Sequence, residues 1–218
     1  MENKEKWVLF DLDGTLTDPY IGITNSVKYS LAKMNIPIDP NDDLKQYIGP
    51  PLAYSFSHFA HAEDVDLAVK YYREYFRSKG IFENEMYEKT PYVLSELKKR
   101  GYKISLATSK PGEFATEILK HFNLYDYFDF FSANTLQETR PEKIDVISYA
   151  LSECKIDPDN CIMVGDRKYD VSAAKELGVH AIGVSFGYGT KEELASNGAD
   201  YVVDSFDELL EVITKIFG

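Results

Sequence analysis

Short apolar segments alternate with amphipathic helical segments along most of the chain, and this alternation restricts the possible folds more than any other feature. Continuous apolar strands of a few residues are typical of a parallel sheet that is covered on both faces. Right-handed crossovers between such strands give a doubly wound α/β sheet. The predicted strands are 7–10, 103–108, 128–132, 161–164, 181–184 and 201–203, and the predicted helices of this sheet domain are 91–100, 113–122, 142–153, 171–177 and 207–217.

The alternation stops after the first strand and resumes only near residue 87. Helical patterns rich in Tyr and Phe fill the gap at 21–34, 44–59 and 63–79. We therefore expect an all-helical cap, residues 17–85, inserted into a core made of residues 1–16 and 86–218. An insertion at the carboxyl end of a strand is well placed to act as a lid, because open α/β sheets bind ligands there. The aromatic side chains themselves are more typical of a helical core than of a ligand site.

Two aspartates, Asp11 and Asp13, follow the first strand directly. Residues i and i+2 of an extended chain face the same side, so both carboxylates converge at the edge of the sheet. Carboxylates this close require a proton or a cation between them. Taken alone, Asp-x-Asp-Gly is also a turn signal and the start of an EF-hand loop. The twelfth position of that loop is Gly22, where an EF-hand requires Glu.

A second acidic pair, Asp166 and Asp170, follows the predicted strand 161–164 and precedes a helix. Asp170 alone could be an ordinary helix-capping residue. Acids at the ends of neighbouring strands would meet at one edge of the sheet and form an oxygen-rich site. Mg²⁺ prefers such hard ligands.

Two further segments have weaker signals. Thr108, Ser109 and Lys110 end a predicted strand before a helix, where hydroxyls and free amides can bind phosphate, although Ser and Thr also cap helices there. Arg140 and Lys143 lie near the start of the helix after the third strand. A fixed cation at that position could neutralise a phosphate and a nucleophile.

In this order the four segments resemble the haloacid dehalogenase superfamily, and the resemblance spans the chain. Within that superfamily the chain resembles the branch of phosphoglycolate phosphatases and 5′-nucleotidases with a helical cap. The segments 49–52 and 187–189 contribute to this likeness. The resemblance implies a Rossmann-like core, Mg²⁺ as cofactor and an aspartyl-phosphate intermediate.

The resemblance also implies the role of each site residue. Asp11 would be the nucleophile, Asp13 the general acid and base, Thr108 a phosphate ligand and Lys143 the anchoring cation. Phosphate or substrate contacts would come from Leu12, Thr108, Ser109, Lys110 and Gly49, and metal ligands from Asp11, Asp13, Asp166 and Asp170. Asp13 would contribute its backbone carbonyl, and Asp170 would act directly or through water. Many members have lysine immediately before a proline, whereas here Arg140 precedes Pro141. Lys143 fits the shorter form of the nucleotidase-like group, with Arg140 or Lys110 as the alternative.

Composition excludes several other classes. The formal net charge of −12 disfavours nucleic acid as a partner. The charged N-terminus lacks the apolar region of a signal peptide, and no apolar run reaches the roughly 20 residues that span a bilayer. We expect a cytoplasmic monomer or homodimer that binds a small phosphorylated metabolite.

The leading prediction is a Mg²⁺-dependent phosphatase of a small phosphomonoester, similar to phosphoglycolate phosphatase. A nucleoside 5′-monophosphatase is the alternative, because the residues do not identify the substrate. A sugar-phosphate mutase, a true dehalogenase and a non-enzymatic binding module are less favoured. All four acids are present, whereas a degraded member of the superfamily would usually lack one.

Overall fold

The computed structural model describes residues 5–39 and 42–218, which divide into two compact units. The larger unit comprises Met1–Thr17 and Met86–Gly218, and the smaller unit is Asp18–Glu85. Relative to the expected ranges, the first boundary lies one residue later. The strands are β1 (Trp7–Phe10), β2 (Thr17–Asp18), β3 (Glu85–Met86), β4 (Lys103–Pro111), β5 (Phe130–Asn134), β6 (Cys161–Gly165), β7 (His180–Val184) and β8 (Tyr201–Val203).

Nine α-helices accompany these strands in the described part of the chain. They are α1 (Tyr20–Lys33), α2 (Leu52–Phe56), α3 (Val65–Tyr75), α4 (Thr90–Lys99), α5 (Gly112–His121), α6 (Lys143–Glu153), α7 (Lys168–Glu176), α8 (Lys191–Ser196) and α9 (Phe206–Phe217). No helix among residues 5–39 and 42–218 has both the length and the apolar character that a membrane crossing requires.

The larger unit contains a six-stranded parallel sheet in the order β5-β4-β1-β6-β7-β8. From β4 the chain moves outward to β5, and then returns to the other side of β1 at β6. The direction of winding therefore reverses at β1, and ligands of open α/β sheets bind at such a switch point. This topology confirms the doubly wound sheet that the alternation predicted.

Burial explains why the strands read as continuous apolar runs. All four residues of β1 are buried, so both faces of the central strand are covered. Trp7 and Leu9 belong to a core cluster that also takes apolar residues from α6 and α7. β1 is aligned so that Phe10 lies opposite Leu106 of β4 and Val164 of β6. The carboxyl ends of β1 and β6 therefore lie side by side, next to the second half of β4.

Several element boundaries differ from the sequence prediction. β4 continues to Pro111, three residues beyond the predicted end, with a register shift against β5 after Thr108. α7 begins at Lys168, three residues before the predicted start at 171. The prediction missed the first turn because that turn is polar and shows no apolar periodicity. α8 was not predicted, since six residues are too few for a periodic signal. Its capping residue, Thr190, accepts a hydrogen bond from the backbone N–H of Glu193 and was the available clue.

The smaller unit is helical, but the predicted helix 44–59 is wrong. A 3₁₀ turn at Leu44–Tyr47 and the short α2 replace it. Pro50 and Pro51 lie between them, and proline lacks the N–H that a continuous helix needs. The predicted helix 63–79 is likewise divided into a 3₁₀ turn at Ala62–Asp64, α3 and a π-helical turn at Phe76–Gly80.

Candidate active site

The candidate catalytic side chains lie along one edge of the sheet, at or near the carboxyl ends of its three central strands. Asp11 follows β1, and its backbone N–H donates to the carbonyl of Val164 in β6 at 2.9 Å. Thr108 lies in β4 on one side of Asp11, and Asp166 follows β6 on the other side. The parallel register thus brings together residues that are 58 to 155 positions apart along the chain.

Three carboxylates form one cluster at this edge. Asp11, Asp166 and Asp170 each offer an oxygen, and these oxygens lie within 4.8 Å of one another. Asp166 and Asp170 are fully or almost fully buried. Asp170 joins the cluster because it lies in the first turn of α7, which returns over the end of β6.

Lys143 is the cation buried against this cluster. Its ammonium lies 2.9 Å from Oδ1 of Asp11 and 2.8 Å from Oδ1 of Asp170. It also donates to the carbonyl of Ala107 in β4 at 3.0 Å. Lys143 is the first residue of α6 and its side chain is only 6% exposed. Burial alone would lower the pKa of Lys143, but Asp11 and Asp170 outweigh it and raise that pKa.

Arg140, the other candidate for this position, lies elsewhere. Its Nε donates to the carbonyl of Ala133 at 2.9 Å, and its guanidinium stacks 4.1 Å from the ring centroid of Tyr149. Its backbone N–H donates to the side-chain oxygen of Asn134 at 3.1 Å. Arg140 therefore organises the loop before α6, whereas the lysine three residues later contacts the acids.

Two backbone N–H groups and one hydroxyl hold the two acids of the Gly165–Asp170 segment. Asp166 Oδ2 accepts from the N–H of Tyr188 at 2.8 Å, and Oδ1 accepts a longer bond from the hydroxyl of Thr15 at 3.4 Å. Asp170 Oδ2 accepts from the N–H of Arg167 at 3.1 Å. Asp170 is thus both a helix-capping acid and a member of the cluster, because its two oxygens serve different partners.

Glycine permits the close packing around Asp166. Gly14 has a φ of +82°, and a Cβ at this position would overlap the Asp166 carboxylate. A Cβ at Gly187 would overlap the carbonyl of Gly14 and the side chain of Asp166. These two glycines let the loop after Asp13 and the loop before α8 approach the same carboxylate.

The electrostatics of the cluster fit a bound divalent cation. Burial and the neighbouring carboxylates of Asp170 and Asp11 raise the pKa of Asp166 well above its ordinary value. Burial also raises the pKa of Asp170, although Lys143 opposes that effect. When all three carboxylates are ionised, the one ammonium of Lys143 leaves the cluster with excess negative charge. An all-oxygen donor set of this charge suits a hard divalent ion.

Asp13 has a different environment from the cluster. Its Oδ2 lies 2.6 Å from the ammonium of Lys110, whose side chain is 8% exposed. Its Oδ1 is buried and has no hydrogen-bond partner among the described residues. Burial raises the pKa of Asp13, while Lys110 opposes the increase. The carboxylate of Asp13 is not part of the acidic cluster, so its predicted metal contact rests on its backbone carbonyl.

The predicted phosphate-binding residues fall into different settings. Thr108 is 2% exposed, and its hydroxyl oxygen accepts from the N–H of Lys110 at 3.2 Å, which leaves the hydroxyl hydrogen to donate. Ser109 is half-buried at the same strand end. Leu12 has a fully buried side chain, and its carbonyl accepts from three backbone N–H groups, so any ligand contact would use its own N–H.

Gly49 lies in the smaller unit. It is exposed and has a φ of +104° in the irregular segment before α2. Its predicted contact with substrate stays a prediction.

Sequence reasoning missed four contributors to the site. They are the hydroxyl of Thr15, the carbonyl of Ala107, the N–H of Tyr188 and, beyond these, Glu193, whose Oε1 accepts from the N–H of Lys168 at 2.9 Å. The glycines on either side of Tyr188 were a usable signal for a close backbone approach. A carbonyl such as that of Ala107 has no sequence signal.

Comparison with known proteins gives consistent similarities. The family model described as haloacid dehalogenase-like hydrolase matches residues 8–184. A 5′-nucleotidase of Pseudomonas aeruginosa is 38% identical over 208 residues, which cover 94% of this chain and 94% of that protein. A phosphoglycolate phosphatase of Vibrio parahaemolyticus is 27% identical over 220 residues, which cover 95% and 96% respectively. The crystal structure of a predicted phosphatase from Clostridium acetobutylicum is 45% identical, has a TM-score of 0.92 and matches 98% of this chain and 100% of that one.

With the fold and the acidic site, these similarities define a phosphomonoester hydrolase. The chain belongs to the haloacid dehalogenase-like hydrolase family, whose model matches most of its length. The resemblance inferred from the sequence is thereby confirmed.

Proposed function

We propose that this chain is a Mg²⁺-dependent phosphatase that forms an aspartyl-phosphate on Asp11 and prefers nucleoside 5′-monophosphates. The observation that carries the proposal is the position of Asp11, at the switch point of the sheet between the buried ammonium of Lys143 and the carboxylates of Asp166 and Asp170. A carboxylate nucleophile divides a difficult hydrolysis into two easier steps.

Asp11, Asp166 and Asp170 would hold Mg²⁺, with the backbone carbonyl of Asp13. When bound, the ion supplies positive charge that offsets the repulsion between the phosphate and the nucleophile. Lys143 pairs with Oδ1 of Asp11 and leaves the other carboxylate oxygen to attack phosphorus. The hydroxyl of Thr108 and the N–H of Leu12 would orient the phosphate oxygens.

Asp13 would transfer the protons. In the first half-reaction the bond between Asp11 and phosphorus forms, the bond from phosphorus to the ester oxygen breaks, and Asp13 donates its proton to that oxygen. In the second, the ionised Asp13 takes a proton from water as the water oxygen attacks the phosphorus of the intermediate, which releases phosphate and regenerates Asp11. The raised pKa of Asp13 suits a group that must be protonated in the first half-reaction.

Similarity supports the nucleotide preference over the phosphoglycolate preference that the sequence first favoured. The 5′-nucleotidase relative is 38% identical and the phosphoglycolate phosphatase relative 27%, at nearly equal coverage. Phosphoglycolate stays the second candidate because that relative also spans the whole chain.

A phosphate-release assay with Mg²⁺ tests both levels of the proposal. The panel contains purine and pyrimidine 5′-monophosphates, phosphoglycolate, glucose phosphates and p-nitrophenyl phosphate. We expect the highest kcat/KM for a nucleoside 5′-monophosphate, and a loss of more than about 10⁴-fold in Asp11→Asn, which exceeds the loss expected for a general acid. A kcat/KM that is higher for phosphoglycolate than for the nucleoside 5′-monophosphates would overturn the substrate assignment but not the proposed mechanism. Substantial turnover by Asp11→Asn would refute the nucleophile.

A further inference from the structure

The segment from Tyr188 to Glu193 contacts the acidic Gly165–Asp170 segment at several points. The N–H of Tyr188 holds Asp166 Oδ2, and Gly189 packs so closely on the carbonyl of Asp166 that a Cβ would overlap it. Farther along the same segment, Oε1 of Glu193 accepts from the N–H of Lys168 at 2.9 Å and from Nε of Arg167 at 3.0 Å.

Two carboxylates therefore accept hydrogen bonds from the backbone N–H groups at the start of α7. Asp170, in the first turn, accepts from the N–H of Arg167, and Glu193, 25 residues away from Lys168, accepts from the N–H of that residue. The first N–H groups of a helix have no partner within the helix and need such acceptors. Glu193 accepts from the N–H of Lys168, while Asp170 accepts from Arg167 with Oδ2 and pairs with Lys143 through Oδ1.

We infer that Glu193 is a positioning residue for the metal site, holding the start of α7 so that Asp166 and Asp170 converge on one cation. The inference rests on the proposed metal site. Asp11, Asp166 and Asp170 are like-charged and closely spaced, so they repel one another and need fixed anchors. Groups that orient metal ligands in this way typically change metal affinity by roughly 10- to 100-fold when they are removed.

The surroundings of Glu193 suit this role. Its side chain is 23% exposed, and that of Arg167 is 14% exposed. Burial would raise the pKa of Glu193, but the hydrogen bonds from Lys168 and Arg167 outweigh it and keep the pKa below its ordinary value. Thr190 caps α8 through the N–H of Glu193 itself, at 3.1 Å, so the backbone at this residue is fixed as well.

Mn²⁺ binding, measured from the loss of the free-ion EPR signal, tests the inference without an activity assay. Mn²⁺ replaces Mg²⁺ because both prefer oxygen ligands. We expect Glu193→Ala to raise the Kd for Mn²⁺ by about tenfold or more. Glu193→Gln keeps an oxygen acceptor for Lys168 and should stay within about threefold of wild type. Glu192→Ala, which removes the same charge from the exposed neighbour on α8, should leave the Kd unchanged.

A second variant keeps the test decisive if Glu193→Ala does not fold. Lys168→Pro removes the donated N–H at the first helical position, where proline is tolerated and where the extended backbone of Arg167 suits it. It should weaken Mn²⁺ binding as Glu193→Ala does, whereas Lys168→Ala should not.

The outcomes separate this inference from the proposed function. A wild-type chain that binds no Mn²⁺ would refute the proposed metal site. If the wild type binds Mn²⁺ but Glu193→Ala and Lys168→Pro bind it as tightly as the wild type does, the positioning role of Glu193 is wrong. Equal weakening by Glu193→Ala and Glu193→Gln would show that only charge matters, which also overturns it.

Discussion

The ammonium of Lys143 lies 2.9 Å from Oδ1 of Asp11 and is almost completely buried. The same ammonium reaches Asp170 and the carbonyl of Ala107, so one side chain connects the residue after β1 with β4 and α7. A buried charge with three acceptors is difficult to replace, because any variant leaves carboxylates without a partner.

Lys143→Met should reduce kcat/KM by roughly 10²- to 10³-fold, because the electrostatic contact of Lys143 with Asp11, the proposed nucleophile, is lost. Removing one partner of a buried ion pair also costs about 3–5 kcal/mol, so the free energy of unfolding without metal should fall. Steady-state kinetics and urea unfolding measure the two effects.

Arg140→Met is the matched control for Lys143→Met. Arg140 contacts Ala133 and Tyr149 but no acid of the cluster among the described residues, so we expect less than about a threefold change in kcat/KM. A larger kinetic effect at Arg140 than at Lys143 would contradict the assignment of the anchoring cation.

Metal removal should change stability in a way that depends on Asp166. Binding at 100 times the Kd stabilises a protein by about 2.7 kcal/mol, so saturating Mg²⁺ should raise Tm by roughly 5–10 °C over EDTA. Asp166→Asn replaces a buried carboxyl group, whose raised pKa shows that its charged form is disfavoured there, with a neutral amide. The amide oxygen can still accept from the N–H of Tyr188. The variant should therefore be at least as stable as wild type in EDTA but gain almost nothing from Mg²⁺.

Differential scanning calorimetry with and without Mg²⁺ gives the Tm of Asp166→Asn in EDTA and its increase on addition of Mg²⁺. A full Mg²⁺ shift in the variant would show that the ion binds elsewhere. As an independent readout, BeF₃⁻ should raise the Tm of the wild type only when Mg²⁺ is present, and it should not raise the Tm of Asp11→Asn.

Gly14 and Gly101 offer a comparison between crowding and backbone conformation. Their φ angles are +82° and +81°, but a Cβ at Gly14 would overlap Asp166 and Tyr188, whereas a Cβ at Gly101 would have no atom within 4 Å. Gly101→Ala should cost only about 1–2 kcal/mol for the left-handed conformation. Gly14→Ala should cost at least about 3 kcal/mol and abolish activity, because the Asp166 carboxylate must move.

Urea unfolding and phosphate release of the two glycine variants check this comparison. Equal destabilisation of the two variants would mean that the loop after Asp13 can shift at little cost. The interpretation that Gly14 packs rigidly on Asp166 would then be wrong.

The fold and the acidic residues could be predicted for a simple physical reason. Parallel strands leave their carboxyl ends at one edge, so Asp11 and Asp166 had to converge once their strands were neighbours. The choice between Arg140 and Lys143 could not be derived in this way. Both residues lie close to the start of α6, and the sequence pattern does not show which of the two side chains is directed at the acids.

The partners in contacts between distant loops could not be derived from the sequence, although the glycines on either side of Tyr188 indicated a close backbone approach. Tyr188 acts through its N–H, which every residue except proline has, and Glu193 lies on a helix too short to show periodicity. In the smaller unit, Pro50 and Pro51 lie within the predicted helix 44–59. Because proline interrupts a helix interior, these two residues were a sequence signal that this helix is divided.

Asp129 and Asp200 fix corresponding positions on the two halves of the sheet, and they make stability depend on acid pH. The carboxylate of Asp129 accepts from the N–H of Ile104 at 2.9 Å, and that of Asp200 accepts from the N–H of Ala181 at 2.8 Å. Burial would raise both pKa values, but lysines and these N–H groups outweigh it and lower them. A lowered folded-state pKa stabilises the protein above the unfolded-state pKa near about 3.9, and this contribution is lost as pH falls through the folded-state pKa.

The double variant Asp129→Asn/Asp200→Asn should therefore lose about 2 kcal/mol of unfolding free energy at pH 7, since a hydrogen bond to a charged group contributes more than a neutral one. The difference from wild type should persist down to about pH 5 and narrow toward pH 3, because protonated Asp resembles Asn. Urea midpoints at each pH measure it, with the exposed Asp126→Asn as the matched control. A difference that stays constant or widens as the pH falls would show that the ionised carboxylates are not what joins β4 to β5 and β7 to β8.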